Sequence, residues 1–149
     1  MPIKFLIFFV KIFNEDTSNT EVLSTYFLPK ISQGFDNKDN YSNNNAFHYH
    51  RHIGDDLATG ISDQIAFLVN LDWNHWELII IDFRTQVILY GDSLGYAMSA
   101  SMHNVLTWWT QLHSSANFTI KKLPIIIQDN SFSCGLLGLE LTGSVPHWC

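Results

Sequence analysis

Four side chains in the second half of this sequence have the types and the context to build one nucleophilic site. Cys134 stands in Gln128-Asp129-Asn130-Ser131-Phe132-Ser133-Cys134-Gly135, a polar loop feeding the apolar run Leu136 to Leu141. A helix beginning there sets the sulfur against unpaired backbone N–H groups and the positive end of the helix dipole, both of which favour thiolate over thiol. Gly135 places no side chain beside the sulfur and so leaves room for a carbonyl carbon. Gln128, six positions upstream, can turn its amide toward the sulfur and donate to a developing oxyanion. The plain alternatives are a small buried cysteine starting a core helix and a capping glutamine.

His75 and Asp92 supply a base and its orienting carboxylate. A hairpin centred between Phe83 and Arg84 sets the two directly opposite each other, with Cβ atoms roughly 4.5 to 5.5 Å apart. At that distance the carboxylate accepts one imidazole N–H and fixes the ring as a base. Phe-Arg is poor chemistry for a two-residue turn, so the alternative is a longer loop or bulge that moves the register by one. The plain reading of the pair is a cross-strand ion pair.

The elements that must position these residues follow from hydrophobic patterning. Ala66–Leu71, Trp76–Asp82 and Gln86–Tyr90 read as strands, and their unbroken Ile and Val runs predict burial on both faces. Met102–Ser115 carries Val105, Leu106, Trp108, Trp109 and Leu112 at helical spacing and is expected to lie on that sheet. Lys122–Ile127 predicts a further strand and Ser133–Leu141 a helix carrying the nucleophile at its start. Upstream, residues 3–13 predict a buried helix, Ser24–Leu28 a short strand or helix, and the Asn-, Asp-, Ser- and Gly-rich stretch Gln33–Asn45 a surface loop. The fold class expected is α+β, a central mixed sheet with flanking helices in one domain over residues 1–149.

The blocks His75-Trp76-Glu77-Leu78, Ile81-Asp82, Tyr90-Gly91-Asp92-Ser93-Leu94 and Gln128 to Gly135 together resemble the catalytic core of the ubiquitin-like-protein proteases, cysteine enzymes that process and deconjugate SUMO or NEDD8. The resemblance runs from about residue 65 to 141. It implies a cysteine-proteinase-like fold, with His75 as general base, Asp92 as its carboxylate, Cys134 as nucleophile, Gln128 as oxyanion donor and Trp76 as part of a clamp on the substrate tail. An aromatic clamp has a physical rationale, since a Gly-Gly terminus offers no side chains to grip and is selected by excluding bulkier ones; the alternative for Trp76 is core packing. The implied partner is a ubiquitin-like modifier, SUMO or NEDD8, with its conjugates, acted on by a monomer without a cofactor in the nucleus or cytoplasm. The family's opening Trp-Leu-Asn-Asp motif, the other half of the clamp, is missing, and the sequence ends soon after the nucleophile helix. The expectation is therefore a domain truncated at its N-terminus, with a non-catalytic relic that only binds a ubiquitin-like protein as the alternative.

Bulk properties and stray motifs exclude or weaken other classes. Eight Lys and Arg against fourteen Asp and Glu give a net charge of -6 without a basic run, which argues against nucleic acid. Lys11 cuts off the N-terminal apolar run before any cleavage site, and the run is too short to span a membrane, so neither a signal peptide nor a membrane is expected. Cys134 and Cys149 read as thiols, because a lone bridge between them would staple little of the chain. Gly91-Asp92-Ser93-Leu94 also spells the block of a family of serine esterases, with Asp72 and His75 as the other members, but that family places its serine block first and its Asp and His last. His48, His50 and His52 would share one face of a strand and suggest a metal, yet no acidic or cysteine ligand completes the set nearby, and no metal is expected.

Overall fold

The computed structural model describes residues 19–71, 75–92 and 94–123. Among the described residues, five strands form one mixed sheet in the order β1 (Thr20–Val22), β2 (Gln64–Asn70), β3 (Trp76–Asp82), β4 (Val87–Asp92) and β5 (Thr119–Lys122). β1 runs parallel to β2 and β4 parallel to β5, while β3 is antiparallel to both of its neighbours. The α+β class and the three central strands stand where patterning placed them. The predicted helix over residues 3–13, most of the Lys122–Ile127 strand and the Ser133–Leu141 helix lie outside the described residues.

The topology dictates where the helices go. β1, β2, β4 and β5 all point the same way, and the two parallel crossovers, β1 to β2 and β4 to β5, step across the sheet in the same direction. Crossovers of this kind are right-handed, so both must place their helices on one face. The first crossover carries α1 (Phe27–Asp36), α2 (Lys38–Asn43), a 3₁₀ turn (Asn45–Phe47) and α3 (His48–Ala58), and the second carries α4 (Ala100–Ser114). Phe27 and Ile31 of α1, Ile53 and Leu57 of α3, and Leu106 and Trp109 of α4 join one core with Ile65, Phe67, Val69, Ile79, Ile81 and Ile88 of the sheet. Ala66, Leu68, Leu78 and Ile80, on the opposite face, are buried as well. The strands are thus covered on both sides, as their apolar runs predict.

The stretch Gln33–Asn45 is helical rather than a surface loop, which corrects the compositional reading. Its asparagines punctuate helices: the Asn37 side chain accepts from the Asn40 N–H at 3.0 Å and opens α2, and the Asn44 side chain accepts from the Ala46 N–H at 2.8 Å and opens the 3₁₀ turn. His48, His50 and His52 also lie on a helix, α3, not a strand, so the three do not share one face. His48 and His52 stack one turn apart, while His50 turns inward against Phe27.

A polar thread ties the helical layer together. The indole N–H of Trp109 donates to the hydroxyl of Tyr41 at 2.9 Å, and that hydroxyl lies 2.9 Å from Nε2 of His113. Nδ1 of His113 faces the Asp55 carboxylate, an acceptor, at 3.5 Å, which places the neutral ring's proton on Nδ1 and leaves Nε2 to accept the Tyr41 hydroxyl proton. Burial keeps His113 toward its neutral form and pushes the Tyr41 hydroxyl up to about 12. The ring of His113 lies flat over Gly54 of α3, where a β-carbon would run into it.

Gly54→Ala therefore tests this packing. The helix-propensity gain of about 0.5–1 kcal/mol is outweighed by overpacking of about 1–3 kcal/mol, and denaturant unfolding should show a net loss of stability. The same substitution in a His113→Ala background should show a gain, since the obstructing ring is gone.

Candidate active site

The turn between β3 and β4 sets the geometry of the site. Asp82 Oδ1 accepts from the backbone N–H groups of Arg84 at 2.9 Å and Thr85 at 3.1 Å, and Gln86 takes a left-handed conformation at φ 58°. The connection is the four-residue turn Phe83–Gln86, with Asp82 opposite Val87. The hairpin centre thus lies one position further along than a Phe83-Arg84 turn would put it, and the residue directly opposite Asp92 is Glu77, not His75. This corrects the expected register.

His75 nevertheless reaches Asp92. It precedes β3 by one residue, and its carbonyl accepts from the Leu71 N–H at 2.8 Å across the β2–β3 connection. As the diagonal neighbour of Asp92 on the same face, it brings Nε2 to 2.7 Å from Asp92 Oδ1. The His75 side chain is 12 % exposed and that of Asp92 is wholly buried. An ionised carboxylate only accepts, so Nε2 carries the proton and the lone pair sits on Nδ1. The edge of the exposed Tyr96 ring meets His75 at 5.6 Å between centroids.

Asp92 is held from three sides. Its Oδ1 also accepts from the Leu94 N–H at 2.7 Å, and its carbonyl accepts from the Gly95 N–H at 3.1 Å, closing a turn in which Gly95 has φ 76°. Lys122 Nζ donates to the Gly95 carbonyl at 3.2 Å, so β5 steadies the same turn. Burial raises the Asp92 carboxyl, but the adjoining Glu77 carboxyl, hydrogen bonds from His75 and Leu94, and the charge His75 carries when protonated outweigh it and hold the group below the usual aspartate range.

These features, a buried carboxylate fixing one imidazole nitrogen at the mouth of an α+β sheet, accord with a known catalytic domain. The model of the Ulp1 protease family, C-terminal catalytic domain, matches residues 3–142. The chain belongs to this family. Similar solved structures include the SUMO protease Ulp1 with its catalytic cysteine oxidised to a sulfenic acid, 24 % identical with a TM-score of 0.59 over 88 % of this chain and 59 % of that one. Another is the C-terminal Ulp1 protease domain in complex with Smt3, the yeast orthologue of SUMO, also 24 % identical, with a TM-score of 0.58 over 88 % of this chain and 58 % of that one. They share the fold, and this chain spans less than two thirds of their length. No curated protein sequence matches.

Within the Ulp1-like sheet, the structure brings together two of the four residues expected to do chemistry, His75 and Asp92. Cys134 and Gln128 lie outside the described residues, as do Ser93 and Asp72 of the esterase reading. Trp76 opens β3 half-buried, on the face opposite His75 and Glu77. Sequence reasoning passed over Glu77, the Leu94 N–H and Tyr96. Glu77 could have been found, because it lies two residues from His75 in a strand read as buried on both faces, and the other carboxylate of that strand, Asp82, stands at its end.

Acid unfolding checks the state of Asp92. A carboxylate whose folded value lies below its ordinary 3.8 contributes stability that is present above that value and is lost as pH falls through the folded one. Wild type should lose stability steeply on acidification below about 4, and Asp92→Asn should lose it less steeply. Equal slopes in urea titrations at a series of pH values would show that Asp92 gains nothing from its partners.

Proposed function

We propose that this chain is a cysteine peptidase that cleaves after the C-terminal Gly-Gly of a ubiquitin-like modifier, SUMO or NEDD8, at peptide or isopeptide bonds. The observation that carries this reading is the 2.7 Å bond from His75 to Asp92 in a chain of the Ulp1 protease family. A family structure bound to Smt3 supports a modifier as the partner.

In this mechanism His75 Nδ1 takes the proton of the Cys134 thiol, and the thiolate attacks the carbonyl carbon of the terminal glycine. Gln128 donates to the oxyanion of the tetrahedral intermediate. As the C–N bond breaks, His75 returns the proton to the leaving amine and a thioester remains. Water, deprotonated by His75, then attacks the thioester, releasing the modifier's carboxylate and regenerating the thiol. Throughout, Asp92 stays ionised and stabilises the imidazolium that forms in each half-reaction. Trp76, adjoining His75, walls the tail channel against residues larger than glycine.

SUMO and NEDD8 vinyl-sulfone probes test the reading directly. Purified wild type should form a covalent adduct with at least one probe, and Cys134→Ala should form none; wild type that reacts with neither would overturn the proposal. For the clamp, Trp76→Ala should lower kcat/KM on a Gly-Gly-tailed substrate by roughly tenfold or more, the equivalent of a lost aromatic contact of about 1.4 kcal/mol. Alkylation of the thiol by iodoacetamide should proceed at the wild-type rate, so a matching fall in that rate would assign Trp76 to the core instead.

A further inference from the structure

Glu77 is buried to 2 % exposure in the middle of the sheet, and nothing in the proposed reaction uses it. Its neighbours across the strands are Val69 on β2 and Asp92 on β4, with His75 two positions away on the same face. One side-chain nitrogen of His75 and one carboxylate oxygen each of Glu77 and Asp92 lie within 4.8 Å of one another. Asp92 Oδ1 is engaged by His75 and Leu94, whereas Asp92 Oδ2 and Glu77 Oε2 are both buried and both lack a partner when the two groups are written as carboxylates. Among the described residues no lysine or arginine forms an ion pair with either group, and Lys122 is engaged with the Gly95 carbonyl.

Two ionised carboxylates cannot face each other at a directly paired, dry position without a cation between them. One proton resolves both orphaned oxygens at once, turning a repulsive pair into a donor and an acceptor. We propose that Glu77 is a positioning residue that carries a proton at neutral pH and donates it to the oxygen of Asp92 left free by His75 and Leu94. The buried pair then bears one negative charge, kept on Asp92 and directed at His75. Burial, the hydrogen bond to Asp92 and the Asp92 charge push the Glu77 carboxyl in that same direction, up to about 8. Fixing the second oxygen of Asp92 stops the carboxylate from rotating, so the imidazole it orients is fixed too. What this positioning achieves rests on the peptidase reading; the protonation itself does not.

The test separates the two. A group whose folded value is raised holds a proton that the unfolded chain releases at its ordinary 4.5, so wild type loses stability as pH rises from there to about 8. Glu77→Gln keeps the shape and a donor but cannot titrate. The thermal midpoint of Glu77→Gln minus that of wild type should therefore climb by several degrees between pH 5 and pH 8 and then level off. Subtraction cancels the contribution of titrating groups remote from Glu77. Infrared difference spectra should show at pH 7 a protonated-carboxyl band that is missing from the variant. A flat midpoint difference, or no such band, would overturn the proposal whether or not the protein cleaves anything. On a substrate that wild type cleaves, Glu77→Leu should lower kcat on the order of tenfold to a hundredfold with KM unchanged, and Glu77→Gln should restore most of it. Equal loss in both variants would reduce Glu77 to a packing role. If no substrate is cleaved, the peptidase reading fails, and the midpoint and infrared results still decide the protonation.

Discussion

The register of β3 on β4 is the constraint on which the site depends, and a single aspartate in a turn imposes it. By capping two backbone N–H groups, Asp82 makes the connection four residues long, which puts Val87 opposite Asp82 and, five pairs further on, Asp92 opposite Glu77. His75 then falls on the diagonal of Asp92 instead of directly across from it. This suits a hydrogen bond through the imidazole edge, because a side chain reaching diagonally spans the 7–8 Å between such positions roughly in line with its own length. The turn at Gly95 completes the arrangement by aiming the Leu94 N–H at the oxygen that His75 uses.

The helical layer supports this hairpin from one side because handedness leaves no choice. Two right-handed crossovers stepping in the same direction stack α1, α3 and α4 on the face that also carries Glu77, Asp92 and His75. Aromatic rings sit at the centre of its core, with Trp109 meeting Phe27 edge-on at 5.4 Å, and aromatic edges alone permit some sliding. The Trp109–Tyr41–His113 thread removes that freedom, since each polar atom in it is satisfied only in one arrangement. Arg51 adds to the fixation by donating to the carbonyls of Tyr41 and Asn44, which closes the carbonyl ends of the short helix α2.

The pairing of His75 with Asp92 was legible although the register was not, for a geometric reason. Moving a hairpin centre by one residue changes each partner by two, and residues two apart in a strand share a face. The centre expected from Phe83-Arg84 and the one observed therefore select the same face of β3, and only the identity of the direct partner changes, from His75 to Glu77. The helices between Phe27 and Ala58 were not legible, because Asn37 and Asn44 were weighed as loop composition when their effect depends on position, ahead of an N–H to be capped. The spacing of His48, His50 and His52 failed in the same way, since an alternating pattern means a shared face only on a strand. Cys134 and Gln128 were read from local context and family resemblance, and the described residues neither add to nor alter that reading.

Glu77 was missed for a different reason: it breaks the local rules. A carboxylate within Trp76–Asp82, flanked by Trp76 and Leu78 and opposite another acid, contradicts both the binary pattern and the electrostatics of the strand. Such contradictions in an otherwise consistent chain gather where function or strain is stored. A glutamine at that position would donate to Asp92 equally well at every pH. What a carboxylic acid adds is that the donation can be withdrawn: once Glu77 ionises, Asp92 loses a donor and gains a like charge beside it, so the aspartate that orients His75 is disturbed from behind. The same proton thus couples the stability of the central hairpin to the charge presented to the imidazole, and the site and the sheet that carries it respond to one titration.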